Sequence, residues 1–367
     1  MRKKIILKKN ILICPLNWGL GHATRCVPII RELLVLGQNP IIAADKAPLS
    51  FLQKEFPDLQ FIRLAGFEPL YSKGNSQVLK LLTSVPKALA DFRKEHKTIE
   101  EIVKKYNIDI IISDNRFGCW NKDVHSVYIT HQTNIQVPKS FRWAASIINK
   151  IHHSYIRHYN ELWIPDIKEN PSLAGKLSHH KNNSHFNIET NYIGFLSRFS
   201  KEAKEQKKEI DYLAILSGPE PQRTILEDII IKQANNTKGK IVVLRAKPEQ
   251  ETLPQHSADN ISFFNHVDDN LFVELVETSR NIICRGGYSS LMDLINLNRN
   301  AFLIPTPGQT EQEYLAEHLS QAGLFNYCRQ KDLDLNKVII PEVEIKNHFN
   351  NKQYNLHSFL EKWIYNL

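Results

Sequence analysis

Short apolar runs alternate with longer amphipathic stretches along most of the chain, and the alternation occurs in two blocks. In the first block, the runs that predict buried strands are residues 11–14, 40–44, 61–64, 108–113 and 126–130. In the second block, they are residues 212–216, 241–244, 261–264, 281–284 and 301–304. The stretches between them have the spacing of helices. Repeated strand–helix units predict two parallel, doubly wound α/β sheets, which bind ligands at the carboxyl ends of their strands.

A charged stretch, residues 200–209, separates the two blocks and predicts a linker or the exposed start of a helix. The 367 residues are enough for two domains of ordinary size. We therefore expect a first Rossmann-like domain over residues 1–199 and a second over residues 208–349. A last helix, near residues 354–365, is expected to pack back on the first domain, so that residues 350–367 belong with it.

The composition limits the classes of binding partner and the cellular location that we expect. The net charge of +8 favours anionic partners such as nucleotide diphosphates or an acidic membrane surface. No aromatic and basic signature of nucleic-acid binding accompanies this charge. The five cysteines form no Cys-x-x-Cys pair, which predicts reduced thiols. No apolar stretch approaches the roughly 20 residues that span a bilayer. The expected location is therefore cytoplasmic, either free or peripheral on the inner face of the cell membrane.

Residues 138–158 combine basic side chains with large apolar ones, among them Trp143, Ile147 and Ile151. This mixture is typical of a helix that contacts anionic lipid or a lipid-linked acceptor. An amphipathic helix packed against the core of the domain would have a similar composition. The sequence leaves both interpretations open.

Two neighbouring strand ends in the second block lead into glycine or polar turns and then into helices. The first turn follows Cys284, and the second follows Ile304. Helix N-termini bind anions because their free N–H groups and dipoles point at the ligand. Asp293 inside the first helix could bond a ribose hydroxyl, and the cluster of Glu311, Gln312 and Glu313 in the second could bond a sugar. A nucleotide-sugar fits this combination better than a bare phosphate.

Two further turns of the second block could contact the same donor. Arg223, in the first turn of a predicted helix, could clamp a diphosphate or could be an ordinary surface arginine. The backbone at His266 could contact the flat base of the nucleotide, and Val267 could pack on the face of that base. The predicted donor-binding residues are Gly21, Arg223, His266, Val267, Arg285, Gly286, Gly287, Tyr288, Ser289, Asp293, Gln309, Glu311, Gln312 and Glu313.

The first strand of the chain runs into a turn that contains Gly19, Gly21 and His22. The glycines allow a ligand to approach the backbone closely, and a neutral imidazole at His22 could act as a base. A tight turn with a capping histidine is the alternative. Arg25 could bind a phosphate, or its side chain could be exposed to solvent on the surface of the helix. The turn lacks both the dinucleotide spacing and the P-loop Gly-Lys-Ser/Thr.

Asp114 follows the fourth predicted strand and is a second candidate base. Burial would raise the pKa of its carboxyl group, while Arg116 nearby would lower it. A turn or N-cap aspartate would look the same in sequence. His131 and Asn134 follow the next strand, where they would be delivered to the same edge of the sheet. The predicted acceptor-side residues are Asn17, Arg25, His131 and Asn134.

Neither a metal nor a cofactor is predicted, apart from the nucleotide-sugar as co-substrate. Asp332 and Asp334 form the D-x-D pattern of metal-dependent sugar transferases. They lie late in the chain, away from any predicted ligand-binding loop, and we interpret the pattern as chance. No cluster of histidine and cysteine suggests zinc.

These segments together resemble the donor-binding GT-B glycosyltransferases of the peptidoglycan N-acetylglucosaminyltransferase and diacylglycerol glycosyltransferase family. The segment from Arg285 to Asp293, RGGYSSLMD, is similar to the family's RSGALTVSE. Gln312 matches the first of the family's paired glutamines, and Glu313 stands where the second would be. The segment that begins at His131, HQTN, is similar to the family's HEQN. These differences favour a related transferase with another acceptor over the peptidoglycan enzyme.

The resemblance implies a GT-B fold, a uridine-diphosphate sugar donor and inversion at the anomeric carbon without bound metal. It also implies that Asp293 holds ribose hydroxyls, while Arg223 or Arg285 stabilises the leaving diphosphate. The acceptor, lipid-linked or not, is left open, and His22 and Asp114 both remain candidate bases. A nucleotide-sugar epimerase or hydrolase of the same fold, and a non-catalytic nucleotide-sugar-binding subunit, are the alternatives.

Overall fold

The computed structural model describes residues 7–66, 77–137, 142–179, 186–199, 206–247, 250–256, 258–349 and 353–367. The chain divides into two compact units. The first unit is Met1–Arg198 with Asn350–Leu367, and the second unit is Phe199–Phe349. Much of the predicted linker, residues 200–205, lies outside the described residues. The boundaries expected from the sequence were residues 199, 208 and 349.

Within the described part of the first unit, seven strands form one parallel sheet in the order β3-β2-β1-β4-β5-β6-β7. The strands are β1 Asn10–Pro15, β2 Asn39–Ala44, β3 Gln60–Arg63, β4 Ile110–Asp114, β5 His125–Ile129, β6 Glu161–Ile164 and β7 Glu189–Tyr192. The helices are α1 Gly21–Val35, α2 Lys46–Glu55, α3 Gln77–Tyr106 and α4 Arg142–Ile156. Strand β1 lies between β2 and β4, so the strand order reverses there and creates a ligand-binding position at the carboxyl ends of β1 and β4.

The sequence predicted the first five of these strands and missed β6 and β7. Strand β6 has four residues and begins with the charged Glu161, and β7 consists of Glu189, Thr190, Asn191 and Tyr192. Such short or polar segments do not produce the apolar run that predicts a buried strand. They are strands because β6 pairs with β5 and β7 pairs with β6.

Within the described part of the second unit, six strands form a parallel sheet in the order β10-β9-β8-β11-β12-β13. The strands are β8 Ile210–Ile215, β9 Ile241–Leu244, β10 Ile261–Phe264, β11 Ser279–Cys284, β12 Phe302–Leu303 and β13 Asn326–Tyr327. The helices are α5 Gln222–Ala234, α6 Asp269–Thr278, α7 Tyr288–Asn296, α8 Thr310–Gln321 and the short α9 Ile345–His348. The strand order reverses between β8 and β11, next to the glycine turn at Gly286.

The last helix, α10 Leu356–Asn366, belongs to the first unit and is held there by a buried carboxylate. Glu161 accepts a hydrogen bond of 2.8 Å from the indole Nε1 of Trp363 on α10 and another of 2.8 Å from Trp163. His125 Nε2 lies 2.8 Å from the same carboxylate. In the described part of the chain, no helix is long and apolar enough to cross a membrane.

The substitution Trp363→Phe tests this attachment, because it keeps most of the buried ring and removes the N–H group. We expect the free energy of unfolding to fall by about 1.5–3 kcal/mol, the usual contribution of a hydrogen bond to a charged group. Urea unfolding measures the change. Tyr365→Phe, on the same helix at a side chain that is 51% exposed, is the matched control. Equal stability of the two variants would contradict the role given to the indole–carboxylate bond.

Candidate active site

His22 and Asp114 meet at the carboxyl end of the first sheet. Helix α1 begins at Gly21, which places His22 in its first turn, while Asp114 is the last residue of β4. The imidazole Nδ1 lies 3.2 Å from Oδ1 of Asp114. Leu20 is the N-cap residue of α1 and no side chain caps the helix. The structure therefore does not support the alternative of His22 as a capping residue.

Arg25 lies one turn further along α1 and is buried, so the expectation that it could be solvated is wrong. Its Nε donates a hydrogen bond of 2.6 Å to Oδ2 of Asp114, and its Nη2 donates to Oδ1. Nη2 also lies 2.9 Å from Nδ1 of His22, and Nη1 lies 3.2 Å from Nδ1 of His131. One guanidinium thus joins the carboxylate to both histidines.

The charges in this cluster are set by burial and by Arg25. Burial alone would raise the pKa of Asp114, but Arg25 and then His22 outweigh it and lower this pKa from 3.8 to about 2. Burial, followed by the charge of Arg25, lowers the pKa of His22 below its ordinary value of 6.5. At neutral pH, Asp114 is therefore a carboxylate and His22 a neutral imidazole.

Arg116 does not contribute to the charge of Asp114 as expected, since it faces another partner. Its Nε donates a hydrogen bond of 2.8 Å to Glu95, and its Nη atoms donate to the backbone carbonyls of Leu64 and Ala65. Arg116 therefore holds α3 and the end of β3 against the loop after β4. Its proximity to Asp114 in sequence was misleading because the chain turns at Asn115, which has a φ of 58°.

The two asparagines predicted on the acceptor side differ in their surroundings. The amide of Asn134 donates a hydrogen bond of 3.3 Å to the carbonyl of Lys176, and its backbone N–H donates to Leu177. Asn134 therefore fastens the 3-10 turn Gly175–Leu177. The side-chain amide of Asn17 is different, because both its nitrogen and its oxygen are buried and have no hydrogen-bond partner among the described residues.

In the second unit, the glycine turn after β11 brings two helix N-termini together. Helix α7 begins at Tyr288 with Gly287 as its N-cap, and no side chain caps it. A Cβ on Gly286 would come within 3.2 Å of the backbone carbonyl of Gln312, so glycine allows α8 to pack closely here. The first turn of α8 contains Glu311 and Glu313, whereas that of α7 has no acidic residue. An anion is therefore favoured at α7 more than at α8.

Arg285 is fully buried, and it contacts protein groups where contact with a diphosphate was expected. Its Nη1 donates a hydrogen bond of 3.0 Å to the carbonyl of Ile304, and its Nη2 donates to the carbonyl of Gln222 and to Oε1 of Gln330. Its Nε has no hydrogen-bond partner, and no carboxylate pairs with it among the described residues. Burial lowers its pKa to about 10, so it remains an uncompensated cation at neutral pH.

The polar side chains of α8 shape the loop that precedes this helix. Oε1 of Gln312 accepts a hydrogen bond of 2.9 Å from the N–H of Thr306, and its Nε2 donates to Gln309. Oε1 of Glu313 accepts one of 3.0 Å from the N–H of Gly308. The hydroxyl of Thr306 is buried without a partner among the described residues. Thr306 and Gln330 were not singled out from the sequence, which carries no motif for them.

The other predicted donor residues are spread over the strand ends. Arg223 pairs with Glu220, with an Nη2–Oε1 distance of 2.9 Å, and donates to the carbonyl of Ala246. His266 is exposed and Val267 half-buried; Tyr288 is buried, while Ser289 and Asp293 are half-buried. Asp268 caps α6 by accepting a hydrogen bond of 2.9 Å from the N–H of Leu271.

Asp332 and Asp334 of the D-x-D pattern have local partners. Asp332 accepts a hydrogen bond of 2.7 Å from Nε of Arg329, and Asp334 accepts one from the N–H of Asn336. Among the residues that the structure describes, no group of three or more histidine, cysteine or acidic side chains could hold a metal ion.

Comparison with known proteins finds similarity to glycosyltransferases. Residues 213–359 match the glycosyltransferase family 28 C-terminal domain. The chain is 21% identical over 344 residues to the UDP-N-acetylglucosamine--N-acetylmuramyl-(pentapeptide) pyrophosphoryl-undecaprenol N-acetylglucosamine transferase of Pasteurella multocida (strain Pm70), covering 90% of this chain and 87% of that relative.

Two solved structures illustrate the likeness of fold. MurG of Acinetobacter baumannii matches 98% of this chain and 100% of its own, with a TM-score of 0.56 and 11% identity. The glycosyltransferase SnogD from Streptomyces nogalater matches 98% of this chain and 95% of its own, with a TM-score of 0.56 and 11% identity. The two parallel-sheet α/β units therefore have the GT-B fold, and the family 28 domain and the Pasteurella relative support a family 28-like glycosyltransferase.

Proposed function

We propose that the protein transfers a hexose or N-acetylhexosamine from a UDP-sugar to a hydroxyl acceptor with inversion, without a bound metal ion. The observation that carries this proposal is the buried cluster in which Asp114 stays ionised while His22 stays neutral. A neutral imidazole beside a carboxylate is the arrangement that general-base catalysis needs. Of the two candidate bases, His22 is favoured, since a carboxyl group with a pKa of about 2 is a weak base.

The reaction is a single displacement. The acceptor hydroxyl gives its proton to Nε2 of His22 while its oxygen forms a bond to the anomeric carbon of the donor. The bond from that carbon to the diphosphate breaks, and the diphosphate leaves with the electron pair. Asp114, 3.2 Å from Nδ1, stabilises the imidazolium that results. Attack on the face opposite the leaving group inverts the anomeric centre.

The second unit supplies the features that support a diphosphate-containing donor. The N-terminus of α7 has no acidic residue in its first turn. Arg285 lies just before it as a buried cation without a carboxylate partner among the described residues. A charge in a low-dielectric interior acts over a longer distance than one in water, so Arg285 would favour an anion without touching it. The charge neutralisation usually supplied by a metal would then come from these groups.

Thermal unfolding in the presence of nucleotides and nucleotide-sugars tests this donor. A ligand that binds the folded state alone raises the melting temperature by mass action. We expect UDP and one UDP-sugar to raise the melting temperature. In Asp293→Asn, about tenfold more ligand should be needed for the same rise, because one hydrogen bond to the ligand is lost. Asp332→Asn, at an exposed ion pair in the same unit, is the matched control. Stabilisation by another nucleotide and none by UDP would contradict a UDP-linked donor.

The acceptor is proposed to be lipid-linked and reached at an anionic membrane surface. The Pasteurella relative bears a name that includes a pyrophosphoryl-undecaprenol acceptor. Helix α4 of this chain exposes a stripe of large apolar side chains, Trp143, Ile147 and Ile151, which are 65%, 55% and 37% exposed. Their spacing of four residues places them on one side of the helix. Exposed Lys150 lies within this stretch, as a helix resting on anionic lipid requires.

Replacing the α4 stripe by Trp143→Ser, Ile147→Ser and Ile151→Ser together should lower binding to vesicles of phosphatidylglycerol and phosphatidylcholine. We expect the partition coefficient to fall at least about tenfold, because each apolar side chain loses its burial in the lipid interface. Sedimentation of the vesicles measures this. Val35→Ser removes a 71% exposed apolar side chain from α1 and is the control. If the triple variant binds as well as this control, α4 is not the membrane-binding surface.

A further inference from the structure

The connection between β12 and α8 contains a four-residue turn, Thr306-Pro307-Gly308-Gln309. The backbone N–H of Gln309 donates a hydrogen bond of 3.0 Å to the carbonyl of Thr306, which closes the turn. Pro307 occupies the second position, and Gly308 occupies the third with a φ of 79°. Proline at the second position and a positive φ at the third are the pattern of a type II turn. The local sequence therefore determines the shape of this turn, whereas its orientation on the sheet depends on other contacts.

Gln312, in the first turn of α8, links this turn to the glycine turn after β11. Its Oε1 accepts a hydrogen bond of 2.9 Å from the N–H of Thr306, and its Nε2 donates one of 2.5 Å to Oε1 of Gln309. A Cβ on Gly286 would lie 3.2 Å from the carbonyl oxygen of Gln312 and 3.8 Å from its Cβ. Gly286 directly precedes the N-cap residue of α7. Both ends of this amide, which belongs to a residue only 8% exposed, are therefore engaged within the protein.

Two further side chains hold the same segment of backbone. Oε1 of Glu313 accepts a hydrogen bond of 3.0 Å from the N–H of Gly308. On the other side of Thr306, Nη1 of Arg285 donates one of 3.0 Å to the carbonyl of Ile304. The bond from Thr306 to Gln312 lies between these two along the chain, and Thr306 is 1% exposed. Loss of the Gln312 amide would leave the N–H of Thr306 buried without a partner, which costs the full desolvation of that group.

We propose that Gln312 is a positioning residue for the donor diphosphate and makes no contact with the donor sugar. The inference rests on the proposed function for the identity of the donor. By holding Thr306 and packing on Gly286, Gln312 sets the position of the backbone at the start of α7, whose N-terminal N–H groups are proposed to face the diphosphate. The sequence pattern placed Gln312 among the residues that bond the sugar. In the structure, its amide joins two turns on the diphosphate side of the site.

A series of ligands separates the contributions of the nucleoside, the diphosphate and the sugar. Isothermal titration calorimetry of the intact chain with uridine, UDP, UDP-glucose and UDP-N-acetylglucosamine measures each affinity at a temperature where all variants are folded. The substitution Gln312→Met keeps the length of the side chain and removes the amide. We expect the affinity for uridine to be unchanged. The affinities for UDP and for the UDP-sugar that binds should fall by the same factor, about tenfold.

Other patterns of loss would overturn the inference. A loss confined to the UDP-sugars would show that Gln312 contacts the sugar. An equal loss for uridine would show that Gln312 supports the nucleoside site or the whole unit. Unchanged affinity for every ligand would show that the diphosphate site does not depend on this side chain.

Urea unfolding without ligand tests the hydrogen bond itself. We expect Gln312→Met to lower the urea midpoint by about 0.5 M, because the N–H of Thr306 loses its partner. Gln321→Met, at an exposed glutamine that ends the same helix, is the matched control and should change neither the midpoint nor any affinity. An unchanged midpoint in Gln312→Met would overturn the inference at its structural step. A lowered midpoint in a protein whose wild type binds no uridine ligand would instead locate the failure in the proposed function.

Discussion

His22→Ala should abolish most of the transfer activity while leaving donor binding unchanged. A positioned general base contributes about 10²- to 10⁴-fold to the rate, and we expect kcat to fall within that range. Donor affinity should be kept because the residues proposed to hold the diphosphate belong to the second unit, beside Arg285 and the start of α7. Steady-state release of UDP measures kcat, and thermal stabilisation by the donor measures binding.

His357→Ala is the matched control for this prediction, since His357 is partly exposed and pairs with Glu32 on the first unit. It should retain activity close to that of the wild type. If His22→Ala keeps the same transfer activity as His357→Ala, His22 is not the base. The reaction would then depend on another group, and the neutral imidazole would be a structural feature of the cluster.

Asp114→Ala should lower the free energy of unfolding by about 3–5 kcal/mol, the usual effect of removing one partner of a buried ion pair. Asp114 is fully buried and Arg25 is 2% exposed, so the substitution leaves a charged guanidinium in the interior without its counter-ion. Asp332→Ala, which breaks the exposed pair with Arg329, should cost less than about 1 kcal/mol. Urea unfolding of the two variants gives the comparison, and a similar small loss in both would show that the Asp114–Arg25 pair is not buried as described.

The same ion pair predicts a pH dependence of stability. The pKa of Asp114 is lowered from 3.8 in the unfolded chain to about 2 in the folded protein. A lowered carboxyl pKa contributes stability above the unfolded value, and this contribution is lost as pH falls through about 4 toward 2. The difference corresponds to on the order of 2 kcal/mol. Asp114→Asn should therefore flatten the stability profile between pH 4 and pH 2, and a wild-type profile that is already flat there would contradict the assignment.

The strand–helix alternation was sufficient to predict both sheets and the fold class. It failed at β6, β7 and β13, which are short strands with polar residues and depend on pairing with a neighbour. The Glu161 cluster shows why such elements escape a sequence pattern. A charged residue in a buried strand is tolerated because two indole N–H groups, from Trp163 and Trp363, satisfy its carboxylate. The second of these comes from 202 residues further along the chain.

The sequence predicted that three polar side chains would lie close together, but it did not predict all of their contacts. Placing His22, Asp114 and His131 after strands predicted that they would lie together, and the structure brings all three to one guanidinium. Nothing in the amino-acid pattern favoured Arg25 over Arg116 as the partner of Asp114. Arg116 is two residues away, but the turn at Asn115 directs it to Glu95, whereas Arg25 reaches back from α1.

The most direct test of the proposed function is to follow labelled sugar from the UDP-sugar that stabilises the protein, in the presence of a bacterial lipid extract. We predict that wild-type protein forms a new labelled lipid product of inverted anomeric configuration and that His22→Ala does not. Label recovered as free sugar, or as an altered nucleotide-sugar, would instead indicate a hydrolase or an epimerase. If the label stays in the unchanged donor with every acceptor, although the donor binds, the protein is not a transferase. This outcome would favour a nucleotide-sugar-binding subunit.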